Sequence, residues 1–208
     1  GYDIQLTAAM QCLGYTLEQF QCISVQPLKI FAFHKPTQKI CAIPNLPIEE
    51  LLKAVSMNAL RWYSLRVPLT SIAPIDITIA GQYHPKNSLY RVQFAYLRCC
   101  KILQDCCETS LLEHPEIEVT SYLEKSWNSP ESEALANTLK ATPEIIQQSA
   151  NEIAPHLVIS HLETISDRCH PWLDNFALTP ENRNLLLATQ YILFDLMVNL
   201  LEIKLHKM

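Results

Sequence analysis

The chain has 208 residues, 49% of them hydrophobic and 18% charged, enough to bury a core without disulfide or metal staples. Its formal net charge of −5 argues against strong non-specific DNA binding, which needs lysine and arginine to displace counterions, yet leaves room for a local basic stripe. Only three glycines are present. Helices tolerate that scarcity; a β-barrel or a phosphate-cradling loop does not.

In chain order, residues 5–13 read as a short amphipathic helix stopped by Gly14. Cys22–Gln26 and Leu28–His34 read as strands, with Lys35-Pro36-Thr37-Gln38 a turn between strands. A helix is expected to start near Asn45 or Leu46, with Pro47 in its first turn and Glu49 and Glu50 behind it, and to run through Leu51, Leu52 and Val55. A second short helix carries Ala59, Leu60, Arg61, Trp62, Tyr63 and Leu65, with Trp62 expected in the core. Pro68 and Pro74 break the chain, and Ile75–Ala80 reads as extended.

Pro85 and Asn87 precede a strong helix from Ser88 to about Thr109. Its expected buried stripe is Leu89, Val92, Phe94, Ala95, Leu97, Ile102 and Leu103. Further helices are predicted at 116–125, 131–140, 143–149, 152–173 and 180–205, with Pro130, Pro143, Pro155 and Pro180 near their starts. The latter two-thirds is thus a helical bundle. No apolar run reaches the roughly 18 residues of a membrane span and no signal peptide is recognised, so the expectation is a cytoplasmic protein with neither DNA nor membrane as partner.

The eight cysteines form no CxxC pair. Cys99, Cys100, Cys106 and Cys107 recur at seven-residue spacing in an apolar helix. They read as small buried hydrophobes of a reducing compartment; a thiol sensor or metal site is the sharper alternative. The histidines show no HExxH or HxH spacing, and His156 and His161 lie off one another's helical face. His170 reads as a core or cap residue. Neither a metal nor a cofactor is expected.

Asn58-Ala59-Leu60-Arg61-Trp62-Tyr63 resembles the Asp-Ala-Leu-Arg signature of one anticodon-binding domain. Thirty residues on, the run from Tyr90 to Leu103 resembles the Tyr-x-x-Gln-Tyr-Ala-x-x-Arg-x-x-x-Ile-Leu helix of arginyl-tRNA synthetases. Glu152-Ile153-Ala154-Pro155-His156-Leu157, Cys169-His170-Pro171-Trp172 and the closing helix through Glu202 and Met208 are similar to later segments of that family. Gly1-Tyr2, the run Ala8-Ala9-Met10 to Leu13-Gly14-Tyr15, and Val25-Gln26 resemble the end of its catalytic domain.

This resemblance implies a mainly α fold: a helical bundle of the Asp-Ala-Leu-Arg type, preceded by a small α/β remnant of a class I synthetase catalytic domain. The implied divisions are 1–47 for the degenerate remnant, 48–80 for a helical connector and 81–208 for the anticodon-binding bundle. The ATP-handling motifs of the family do not stand in this sequence. No His-Ile-Gly-His occurs, and where a Lys-Met-Ser-Lys loop belongs the chain reads His34-Lys35-Pro36-Thr37-Gln38-Lys39-Ile40-Cys41.

No catalytic residue is therefore expected. The resemblance implies a non-catalytic tRNA-binding accessory or regulatory protein, with arginine tRNA the natural candidate. Tyr90, Arg91, Gln93, Tyr96, Arg98 and Lys101 are the candidate RNA-binding residues, since unpaired bases are held by aromatic stacking and phosphates by cations. Asn58, Ala59, Leu60 and Arg61 are the structural signature. Three departures weaken RNA binding: Asn58 for the signature acid, Gln190 for a usual arginine, and Glu202 for a usual glycine. The alternative is a protein-interaction or regulatory module, with a link to nitrogen or nitrate assimilation, that has lost RNA binding. A third reading is a fragment of an active ligase.

Overall fold

The computed structural model describes residues 28–34, 39–43, 46–106, 127 and 129–205. The expected elements at 5–13, 22–26, 35–38 and 116–125 lie outside the described residues.

Among the described residues the N-terminal part holds a three-stranded sheet of order β2-β1-β3, built from β1 (Leu28–His34), β2 (Lys39–Ala42) and β3 (Ala73–Asp76). β1 pairs antiparallel with β2, setting Ala32 opposite Cys41, and parallel with β3, setting Ile30 opposite Ile75. A parallel neighbour needs a crossover. Here the crossover contains two helices, α1 (Ile48–Ala54) and α2 (Met57–Leu65). Among the described residues β3 lies at the edge, the place where a sheet accepts a proline such as Pro74.

Residues 75–80 depart from the extended reading. β3 ends at Asp76, whose carboxylate accepts from Thr78 N at 2.9 Å and caps a single helical turn, α3 (Ile77–Ala80). A short acidic side chain that satisfies a nearby amide turns the chain out of the strand. Gly81 follows, where a Cβ would lie 2.5 Å from the carbonyl oxygen of Ala54. That contact allows only glycine where the chain passes the end of α1.

The remaining described residues are mainly helical: α4 (Ser88–Cys106), α5 (Pro130–Lys140), α6 (Thr142–Glu152), α7 (Pro155–Asp174) and α8 (Pro180–Phe194), the last continued by a π-helical segment Asp195–Leu200. Ser129 and Thr179 cap α5 and α8 by accepting backbone N–H bonds, and proline opens each helix where its missing N–H is harmless. α7 is the central helix, packed against α2, α4, α5, α6 and α8; α4 also packs on α8. Val92, Ala95 and Cys99 of α4 meet Ile165, Cys169 and their neighbours in one continuous core that includes Trp62, Leu185 and Leu193. No described helix is long and apolar enough to cross a membrane.

Four sequence expectations shift. α6 runs to Glu152 rather than 149, and the predicted helix at 152–173 instead begins at Pro155. Ile153, left-handed at φ +50°, makes the break between them. The helix expected to reach 205 ends its regular α geometry at Phe194, and residues 201–205 form an irregular tail. Phe94, expected in the core, is 42% exposed, while the polar Gln93 is buried beside it. Consecutive helical positions lie about 100° apart, and the packing of α7 and α8 decides which of the two turns inward.

Candidate nucleic-acid interface

The signature residues of α2 face the C-terminal tail. Asn58 Nδ2 donates to the Lys204 carbonyl at 2.6 Å, and Asn58 Oδ1 accepts from Lys204 N at 3.2 Å. An ionised carboxylate has no donor for that carbonyl, so the asparagine suits this pairing better than the signature acid. Arg61 Nη1 donates to the Glu202 carbonyl at 2.5 Å and lies 3.3 Å from the Glu202 carboxylate. Glu202 is left-handed at φ +52°, a conformation favouring glycine, which is what the family resemblance places there. Ala59 is buried, Leu60 packs on the core, and Trp62 is fully buried with Nε1 donating to Ser88 Oγ at 2.9 Å.

Asn87 anchors the start of α4. It accepts from Tyr63 Oη at 3.1 Å and donates to the carbonyls of Ala80 and Gln82 at 3.2 and 2.8 Å. The loop carrying Tyr83 is thereby tied to the helix.

Along α4 the candidate RNA residues divide. Gln93 is 4% exposed and donates to Lys204 O at 3.3 Å, so it holds the tail. Tyr96 is half-buried and accepts from Gln190 Nε2 at 3.4 Å. Burial is the main force pushing its phenol pKa up to about 12, which leaves the hydroxyl protonated at neutral pH. Arg91 and Arg98, one side of the helix as the seven-residue spacing predicts, both turn toward α7. Arg91 lies 3.2 Å from the Asp167 carboxylate. Arg98 lies 2.7 Å from the Asp174 carboxylate and donates to the His170 carbonyl at 3.2 Å. Lys101 pairs with Asp105 on its own helix at 2.7 Å.

Arg98 also sits 3.3 Å from His170 Nδ1. A guanidinium only donates, so Nδ1 is the acceptor and the ring proton is on Nε2, which donates to the Arg91 carbonyl at 3.0 Å. Burial pushes the His170 pKa down, against the pull of that backbone bond.

Between these polar contacts runs a row of four rings. Tyr83 meets Tyr90 edge-on at 5.7 Å. Tyr90 stacks on Phe94 at 5.6 Å with planes 10° apart. Phe94 stacks on His170 of α7 at 5.7 Å. Tyr83 is 76% exposed. Of the row, Tyr90 alone was among the residues assigned to RNA. The i, i+4 spacing of Tyr90 and Phe94 was visible in sequence; the arrival of Tyr83 and His170 required the loop fold and the packing of α7. Tyr83 and Phe94 are the exposed rings of the row, which lies beside the Arg91 and Arg98 ion pairs.

The family described as DALR anticodon binding domain matches residues 92–206. An arginine–tRNA ligase of Ureaplasma parvum is 26% identical over 199 residues, covering 93% of this chain and 34% of the relative. One from Desulfotalea psychrophila is 28% identical over 179 residues, covering 86% of this chain and 32% of the relative. The chain thus spans about a third of the length of these curated relatives. A Campylobacter jejuni structure, provisionally assigned as an arginyl-tRNA synthetase, superposes with TM-score 0.69 at 14% identity over 100% of this chain and 45% of its own. Thermus thermophilus arginyl-tRNA synthetase superposes with TM-score 0.54 at 21% identity over 78% of this chain and 28% of its own. At these identities the two structures establish the shared fold.

Proposed function

Because this chain belongs to the DALR anticodon-binding domain family, we propose that it binds tRNA through its anticodon loop and that these 208 residues act without aminoacylating it, as an accessory or regulatory protein. The observation carrying this reading is the ring row Tyr83, Tyr90, Phe94 and His170, in which Tyr83 and Phe94 are exposed; Phe94 and His170 lie within the matched residues 92–206, and Tyr90 and Tyr83 precede them. Splayed bases stack on Phe94 and Tyr83. Tyr90, Tyr96 and Gln93 shape the surface, and Arg91, Arg98 and Lys101 reach the phosphates. Within this reading, residues 48–80 are the connector and 81–208 the binding bundle.

The paired state of the cations is compatible with this. The carboxylates of Asp167 and Asp174 are mostly solvent-exposed. A pair with so exposed a carboxylate contributes only about 0–1 kcal/mol, so a phosphate competes for Arg91; Arg98, 24% exposed and also bound to His170, is held more firmly. The ligase relatives make arginine tRNA the favoured isoacceptor.

A fluorescence titration with total tRNA at two salt concentrations tests the reading. Binding that weakens with salt and favours one isoacceptor is the expected result; no binding at low salt overturns it. ATP–pyrophosphate exchange by these residues alone would overturn the non-catalytic part. The second reading is a protein-interaction module. It is favoured by the pairing of Arg91, Arg98 and Lys101 with Asp167, Asp174 and Asp105, which leaves little net positive charge beside the rings. Absence of tRNA binding together with capture of an acid-neutral, apolar protein surface by the ring row would establish it.

A further inference from the structure

Two thiols meet beneath the ring row. Cys99 of α4 and Cys169 of α7 are both fully buried, with their sulfurs 3.7 Å apart. Each is the chain neighbour of a residue that joins the two helices at the surface. Arg98 precedes Cys99, His170 follows Cys169, and Arg98 contacts both the ring and the carbonyl of His170. The buried dithiol therefore sits under the joint that carries Phe94, His170 and the Arg98–Asp174 pair.

We propose that Cys99 and Cys169 form a redox pair whose oxidation by a peroxide cross-links α4 to α7 and weakens binding at the ring row; the regulatory half of this inference rests on the tRNA-binding reading above. In the reaction, the Cys99 sulfur attacks one peroxide oxygen. The O–O bond breaks, the thiol proton passes to the departing oxygen, and one water leaves as a sulfenic acid forms. The Cys169 sulfur then attacks the sulfenic sulfur, its proton goes to the hydroxyl, and the second water leaves. Two thiols lose two electrons, and one peroxide gains them.

The starting separation makes this pairing the favoured one: the sulfurs need to close from 3.7 Å to about 2.05 Å, little more than 1.5 Å. In a close-packed core that closure is shared between rotation of the two side chains and a shift of α4 against α7. It acts at the level of Arg98 and His170, changing the spacing of the rings and cations above. The Cys99 thiol is held protonated, by its hydrogen bond with Cys169 and then by burial. Reaction is consequently slow, and the pair responds to sustained oxidation rather than to a brief pulse.

The full chain, fully reduced and then exposed to hydrogen peroxide, is alkylated and digested without reductant for mass spectrometry. A Cys99–Cys169 linked peptide is expected as the main cross-link, absent from Cys99→Ala and from Cys169→Ser. Oxidation of Cys100 without that linked peptide, or a different dominant pairing, overturns the assignment. Titration with total tRNA before and after oxidation then tests the consequence. Affinity is expected to fall at least about fivefold, to return with dithiothreitol, and to stay constant in Cys169→Ser. A cross-link that forms with no change in affinity overturns the regulation. If the reduced chain binds no tRNA, the tRNA-binding reading and the regulation built on it fall together, while the peptide map still decides the pairing.

Discussion

The contact between α2 and the tail and the surface between α4 and α7 use family-signature residues in opposite ways. In the first, Asn58 and Arg61 are committed to the backbone of Lys204 and Glu202, and Trp62 is sealed in the core behind them. In the second, Arg91 and Arg98 bind α7 through exposed carboxylates, Arg98 with one added main-chain bond to His170, while Tyr83 and Phe94 remain exposed. A motif residue is thus no guide to ligand contact by itself. Polar groups that saturate main-chain partners hold the fold. Exposed rings such as Tyr83 and Phe94, beside ion pairs whose carboxylates face solvent, are the groups the proposed function assigns to a partner.

Trp62→Ala should produce the largest effect, a loss of roughly 3–5 kcal/mol in urea unfolding, because it empties a fully buried site and strands Ser88. A loss below about 1 kcal/mol would erase the contrast between the two regions. Phe94→Ala should leave stability within about 1 kcal/mol yet weaken tRNA binding by roughly 1–3 kcal/mol, read by titration. Equal loss of both would make the ring row structural.

Acidification separates the regions differently. His161, buried against Thr142 at 2.9 Å, and His170 are both held below their usual 6.5 by burial. The folded chain therefore binds fewer protons than the unfolded one below that value. Neither histidine affects stability well above 6.5, and both reduce it as the pH descends through 6.5 toward the folded values. Thermal melts should show Tm falling over that window, and His161→Gln should flatten part of the fall. A Tm that rises on acidification would contradict the buried neutral state of both rings.

Smaller still, Asn58→Asp should cost about 1 kcal/mol by removing the donor to Lys204 O. An unchanged midpoint would mean that the tail does not depend on that bond. Glu202→Gly should be neutral or stabilise by up to about 1 kcal/mol, relief of the left-handed backbone outweighing a mostly exposed ion pair with Arg61. A loss greater than about 1 kcal/mol would show that the Arg61 pair matters more than the backbone.

Much of this was legible beforehand. The periodicity of Leu89, Val92, Ala95 and Leu103 marked α4, and prolines at 130, 143, 155 and 180 marked helix starts. The glycine expected at 202 coincides with a left-handed backbone. The misreadings have local causes. Asp76 turned a strand into a helical turn by accepting from Thr78, and Ile153 took up the left-handed turn between α6 and α7 without the glycine that usually announces one. Phe94 lies at the margin of the apolar stripe, where 3.6-residue periodicity does not distinguish inward from outward.

The sequence by itself determined the helical class and the family, because patterning, turn chemistry and motif order are local properties of the chain. The tertiary structure alone decided that Gln93 points in and Phe94 out, that Tyr83 and His170 complete a row of rings, and that Cys99 lies against Cys169 from 70 residues away. Those outcomes depend on which helices pack together, a choice made by the burial of all their apolar faces at once.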